Sequence, residues 1–264
     1  MSDYYSKNLP FTQLGSGPRI LLAFHGIGQD GTSCFAPALK SLYPHYTIYA
    51  FDLPFHGQHS DAAFEVISKA EWKNSIAHFL HQNNISRFDI TGFSIGGRFA
   101  LATLEAFPEK IDNAFLIAPD GVSEHPMYAL ATRIPPARWI YGWLMRHPGV
   151  FFPGVRVART LKLASKSLVR FTQQVLNTPE KRQTIYRSWV AFRDLRFDIP
   201  KLAKTAKTNG VTIYLFAGVY DSLLKPKAVK KLAELLPENQ YIELKSGHTR
   251  LVEHAAAWIC TLFK

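Results

Sequence analysis

The sequence predicts an α/β fold in which a mostly parallel central sheet is flanked by helices and interrupted by an inserted helical cap. Three observations predict it. Short apolar runs alternate with longer stretches whose apolar residues recur every three or four positions, the pattern of strands joined by helices. The apolar runs are continuous rather than alternating, as strands buried on both faces require. Residues 121–200 then break the rhythm with Pro135-Pro136, Pro148, Pro153 and Pro179, aromatic clusters and no clear strand. The expected division is a core of residues 1–120 and 201–264 carrying a helical cap of residues 121–200.

Taken in order, Ile20–Phe24 reads as the first buried strand and Tyr46–Phe51 as the second. Trp72, Ile76, Phe79 and Leu80 line one face of a helix over 70–82. A strand over 88–93 leads to a helix over 96–107, stopped by Pro108, and a strand over 114–118 ends at Pro119. Beyond residue 200 the alternation resumes with a strand over 211–217, a helix over 226–236, a strand over 241–244 and a last helix over 249–262.

With 264 residues, 47% hydrophobic and 19% charged, the chain has ample material for a well-filled core, and an ordered protein is expected except at its first few residues. Its first residues lack the basic-then-apolar pattern of a secretory leader. No apolar run approaches the roughly 18–20 residues that a membrane span needs. Two cysteines, Cys34 and Cys260, make no disulfide framework. A soluble, cytoplasmic protein is the expectation, without stable membrane insertion. The histidines and cysteines lack zinc-ligand spacing, and no phosphate-cradling glycine loop occurs in its strand-loop-helix context, so neither metal nor cofactor is expected.

The chemistry-bearing pattern is Gly92-Phe93-Ser94-Ile95-Gly96. It fits G-x-S-x-G at the junction of a strand and a helix, where a nucleophilic serine sits on a tight turn that small neighbours permit. Three further motifs accompany it: His25-Gly26 after the first buried strand, Asp52-Leu53-Pro54-Phe55-His56-Gly57 after the second, and Asp221 and His248 just past two later strands. With these motifs in this order, the chain resembles the small, capped, carboxylesterase-like members of the α/β-hydrolase superfamily over residues 18–120 and 200–264. In layout it is similar to the capped esterases that trim the methyl ester of a carrier-bound pimeloyl group.

In an open parallel sheet, ligands bind beyond the carboxyl ends of the strands. Ser94, Asp221 and His248 each follow such an end, in the order Ser…Asp…His that this fold uses. A serine hydroxyl is a weak nucleophile until an imidazole takes its proton, and an unperturbed histidine, titrating near ~6.5, is mostly neutral at pH 7. Ser94 is thus the candidate nucleophile, His248 the base and Asp221 the acid that fixes the imidazole tautomer. Asp120, directly after another strand, is the alternative acid. The oxyanion of the tetrahedral intermediate needs preset backbone donors. The candidates are the N–H groups of Ile95, next to the nucleophile, and Ile27, next to His25-Gly26. His25 is expected to be buried and structural, His56 to brace its loop as the resemblance implies, and His59 to be exposed.

The net charge is +11, and residues 121–200 hold 13 Lys and Arg against four acids. Three readings are open for this basic cap: a solvated surface, a docking face for an anionic or carrier-protein-bound substrate, and attraction to membranes or nucleic acid. Nothing resembles a nucleic-acid-binding module. Of the cap residues Trp139, Tyr141, Trp143, Leu144, Met145, Phe151, Phe152, Phe171, Trp189 and Phe192, most should pack and a few should line an apolar pocket over Ser94. The expected activity is hydrolysis of a small-molecule carboxylic ester or thioester through an acyl-serine. Serine at the elbow argues against dehalogenases and epoxide hydrolases, which carry aspartate there. C–C bond hydrolases, cofactor-free haloperoxidases, acyltransferases and a non-catalytic binding protein on the same fold remain as alternatives.

Overall fold

In the second strand of the sheet, Leu22 and Phe24 face one apolar cluster while Leu21 and Ala23 face another. Phe115 and Ile117 divide from Ala114 and Leu116 in the same way. Unbroken apolar runs are therefore the sequence of a sheet covered on both sides. The computed structural model describes residues 9–160, 169, 172–173 and 176–263.

The strands are β1 (Phe11–Leu14), β2 (Arg19–Phe24), β3 (Tyr46–Phe51), β4 (Phe88–Phe93), β5 (Ile111–Ile117), β6 (Thr212–Gly218) and β7 (Tyr241–Leu244). They form one sheet in the order β1-β3-β2-β4-β5-β6-β7, parallel except for β1, which pairs antiparallel to β3. Helices α2 (Lys69–Gln82), α3 (Gly96–Ala106), α8 (Ile199–Thr208) and α9 (Pro226–Ala233) lie against the first apolar cluster. The short α1 (Gly31–Phe35) and α10 (Leu251–Ile259) lie against the second. Two starts are locally encoded: Asp30 and Ser68 each form a capping box with the residue three positions on, Ser33 and Glu71.

Between β5 and α8 the described chain is helical: α4 (Pro126–Arg133), α5 (Pro135–Arg146), α6 (Pro148–Thr160) and α7 (Pro179–Ala191). Each begins on a proline, which suits a first turn whose N–H lacks a partner anyway. Both ends of this segment enter the main core. Val122, Ala191, Phe192 and Leu195 belong to the α3 cluster, and the Phe192 ring meets Phe99 edge-on at 4.7 Å. Phe192 thus packs the sheet side. Arg187 of α7 stacks over Phe55 at 4.4 Å and donates to the Ala62 carbonyl, tying these helices to the loop after β3.

Strand β1 and helix α1 were outside the sequence expectation. Both are only four or five residues long, and β1 is half-buried at a sheet edge, so neither leaves a periodic run. The last helix is shorter than its apolar pattern because its ends tighten into 3-10 turns, His248–Arg250 and Cys260–Phe263.

Candidate active site

Ser94 stands where β4 hands over to α3, with φ +53, a left-handed conformation that costs a non-glycine residue about 1–2 kcal/mol. The surroundings hold it there. Its N–H donates to the Ile117 carbonyl at 3.1 Å, and its carbonyl accepts from Gly97 at 2.9 Å and Asp120 at 2.8 Å. The flanking glycines are needed for space. A Cβ at Gly96 would lie 2.0 Å from the Phe24 carbonyl oxygen, and one at Gly92 would lie 2.7 Å from the Ala100 Cβ. Ser94 is buried but for 8% of its surface, at the edge where the parallel strands end.

Asp221 and His248 come from the turns after β6 and β7. Those turns are knit together: Val219 N–H donates to the Leu244 carbonyl and Tyr220 N–H to that of Ser246. The His248 Nδ1 lies 2.6 Å from Asp221 Oδ2, while Asp221 Oδ1 accepts from the Leu223 and Leu224 amides at 2.8 and 2.9 Å. The carboxylate is buried and fully bonded. Its bond to Nδ1 puts the ring proton there and leaves Nε2 as the acceptor. Phe93, the residue before Ser94, packs on the His248 ring at 4.8 Å. That contact joins the two halves of the site, and nothing in the position of Phe93 at a strand end marks it in the sequence.

Asp120, the alternative acid, is committed elsewhere. Its Oδ2 accepts from Arg98 Nε at 2.7 Å, and its Oδ1 accepts from Arg98 Nη2 and from the Gly121 amide. Arg98 is fully buried in α3, donates to the Leu195 carbonyl at 3.1 Å and lies over the Tyr128 ring at 4.5 Å. Glu124 extends the network to Arg133, which also donates to the Arg193 carbonyl. The available hint was Arg98, a charge standing just before the apolar run Phe99–Ala102 of α3.

The loop after β2 carries Ile27. His25 is completely buried; its Nδ1 donates to the Gly26 carbonyl at 2.7 Å and its Nε2 accepts from the Leu53 amide at 3.0 Å. His56 donates from Nδ1 to the Pro54 carbonyl and accepts at Nε2 from the Gly28 amide at 3.1 Å. Burial lowers both histidines, His25 to about 4 and His56 to about 3, the latter helped by its neighbour His25. Two neutral imidazoles, their rings 4.9 Å apart, therefore lock the Ile27 loop to the loop after β3. Among the described residues, neither the Ile27 nor the Ile95 N–H donates to a protein acceptor.

His59 corrects the expectation of exposure. The turn Gly57–His59 folds back so that Phe55 N–H bonds the His59 carbonyl, and the ring is buried with Nδ1 3.4 Å from the Asp52 carbonyl. Of the cap aromatics, Tyr141, Phe151, Phe152 and Trp189 pack with Met145 and Ile185 in a cluster that touches Ile27. Trp139 points to solvent, 66% exposed, and Phe171 lies outside the described residues. Among the described residues, no group of three His, Cys, Asp or Glu is placed to hold a metal ion. No described helix is long and apolar enough to cross a membrane.

Comparison with known proteins gives the family. A family model described as "alpha/beta hydrolase fold" matches residues 19–255. Uncharacterized proteins of Mycobacterium bovis and Mycobacterium tuberculosis are 37% identical over 114 residues, 43% of this chain, and the match spans 33% of their own length. A pimeloyl-[acyl-carrier protein] methyl ester esterase of Vibrio campbellii is 24% identical over 95% of this chain and 96% of its own. Among solved structures, a hydrolase from Pseudomonas aeruginosa superposes with a TM-score of 0.66 at 18% identity, covering 98% of both chains. The meta-cleavage product hydrolase CumD, in an A129V form, superposes at 0.63 and 17%, covering 96% of this chain and 93% of its own.

Proposed function

Because the chain belongs to the α/β-hydrolase fold family, we propose that it is a serine hydrolase cleaving a carboxylic ester or thioester through an acyl-serine intermediate. The observation that carries the reading is the 2.6 Å pairing of His248 Nδ1 with buried Asp221, on the sheet edge where Ser94 occupies a strained elbow. In this reading Nε2 of His248 takes the Ser94 hydroxyl proton as Oγ attacks the acyl carbon. Asp221 holds the tautomer and stabilises the imidazolium. The N–H groups of Ile27 and Ile95 receive the oxyanion, a role whose loss typically costs about 100- to 1,000-fold in rate. The imidazolium then protonates the departing alcohol or thiol. Water, deprotonated by the same histidine, finally releases the acid and restores Ser94.

Helices α4–α7 act as the cap. Their apolar cluster over Ile27 would receive the acyl chain, since ligand sites are mostly apolar with a few fixed polar groups. Two relatives that align along more than nine-tenths of the chain are named as methyl ester esterases, which supports the bond type.

The test is hydrolysis of p-nitrophenyl acyl esters of graded chain length by the wild type and Ser94→Ala, with fluorophosphonate labelling alongside. Turnover and labelling that both vanish in Ser94→Ala are expected, with an optimum chain length that sizes the pocket. Activity that survives in Ser94→Ala, or a wild type inert to both esters and probe, would sink the reading.

A further inference from the structure

The helices α4, α5 and α6 expose large apolar side chains to water. Among the described residues, seven of the twelve exposed large apolar side chains fall within residues 127–157. Single exposed apolar residues need no explanation, whereas a concentration on one part of the surface marks an interaction site. Met127 is 61% exposed, Leu130 follows three residues on, and Trp139 and Ile140 stand out from α5. Val150 and Val157 are seven residues apart on α6, hence on one face. Helix α5 packs against both α4 and α6, so the three faces adjoin.

The segment that forms this surface carries charge of one sign, and Glu124 and Glu180 stand outside it, beside Arg133 and Arg146. From His125 to Pro179 the sequence has no Asp or Glu and eight Lys and Arg. Arg146 comes seven residues after Trp139 and shares its helix face. Arg146, Arg156 and Arg159 are exposed, and among the described residues none pairs with a carboxylate. By contrast, Arg133, the basic residue closest to the core network, is neutralised by Glu124.

We propose that this face docks on an anionic lipid bilayer, its apolar side chains seated at the headgroup level and its arginines on lipid phosphates. Trp and aliphatic side chains beside Lys and Arg, without acids, are what an interfacial surface requires. Arginine matches phosphate through its planar fork of donors. The basic groups surround the apolar ones without pairing off. That suits a laterally fluid surface whose phosphates move to meet them, more than a folded acidic partner whose carboxylates have fixed positions. The inference does not depend on the chemistry at Ser94, because the exposed face and the elbow share no residue.

The test is co-sedimentation of the full chain with phosphatidylcholine vesicles, with and without phosphatidylglycerol. The wild type should partition onto the anionic vesicles about tenfold more tightly than onto neutral ones, and salt should weaken it. Trp139→Ser with Ile140→Ser should lower that partition by about tenfold or more, since each large apolar side chain contributes that order to burial. Arg146→Glu with Arg156→Glu should lower it at least as far. The melting temperature and turnover of small water-soluble esters should stay unchanged in both. Ser94→Ala should bind vesicles like the wild type, so failure of the hydrolase reading shows in the ester assay alone. Absence of vesicle binding overturns the proposal, as does binding that both surface variants retain. So does retention on an immobilised acidic acyl carrier protein in place of vesicles, lost in the same variants.

Discussion

An imidazole works as a base only when its proton is on the far nitrogen, and in the proposed triad one carboxylate decides that. Asp221→Asn keeps the Oδ1 contacts to the Leu223 and Leu224 amides but offers an amide where Oδ2 met His248. The ring is then free to take the wrong tautomer. The expected outcome is a kcat lower by about 10,000-fold with KM little changed, checked by steady-state ester hydrolysis. His25 and His56 bear on stability instead. Their folded values, about 4 and about 3, lie below the ordinary unfolded value near 6.5, so the unfolded chain binds more protons in between. Their contribution is complete above about pH 6.5 and is lost as pH falls towards those folded values. Denaturant midpoints at about pH 5 should show a loss of roughly 2 kcal/mol for each histidine relative to pH 7, and His56→Gln should remove its share of that slope. The candidate triad could be read from the sequence because each member follows a strand end in a fixed order. His59 could not, since its burial depends on a turn stabilised by its own carbonyl, and a loop histidine carries no mark of that.

Helix α3 does two things at once. Its N-terminus shapes the elbow, and within the same first turn Arg98 ties it to the segments entering and leaving the inserted helices, through Asp120, Glu124 and the Leu195 carbonyl. Removing one partner of a buried ion pair leaves the others uncompensated, typically a loss of about 3–5 kcal/mol. Arg98→Met should therefore lower the unfolding free energy, towards the lower end of that range because Asp120 is partly exposed, measured by denaturant titration, since Asp120 and the Leu195 carbonyl lose their buried donor. At this scale the long elements were readable and the short ones were not. Residues 70–82 carry enough turns for periodicity to register, and α2 spans Lys69–Gln82. Strand β1 has four residues, held by pairing Phe11 opposite Phe51, a partner forty residues away in sequence. Helix α8 spans the expected boundary at residue 200, since its N-cap Asp198 belongs to one expected unit and most of its turns to the other.

For the molecule as a whole, the charge is as telling as the fold. A net +11 with its excess concentrated in residues 121–200 creates a field that raises the local concentration of anions. The kcat/KM of an ester with an anionic acyl chain should fall as salt rises, while that of a neutral ester of equal length should not, compared at low and physiological ionic strength. The sheet and its site edge were legible because parallel strands need continuous apolar runs and place their loops on one side. Which inserted residues face water was not: Trp139 and Phe192 are both bulky aromatics in the same basic segment, yet one is open to solvent and the other fully buried. Only the packing of Phe192, just past α7, onto Phe99 of α3 separates them.

The order of the strands has a last consequence. The two outermost strands, β1 and β7, have four residues each, against six or seven in the strands between them. An unpaired strand margin is a row of amide and carbonyl groups ready to recruit another chain, and a short, partly charged margin recruits poorly. β7 adds Glu243 and is followed directly by Lys245. Among the described residues both margins of the sheet are thereby poor templates for strand addition, β1 by its length and β7 by its length and charge, which leaves helices and loops as the broader surfaces for contact.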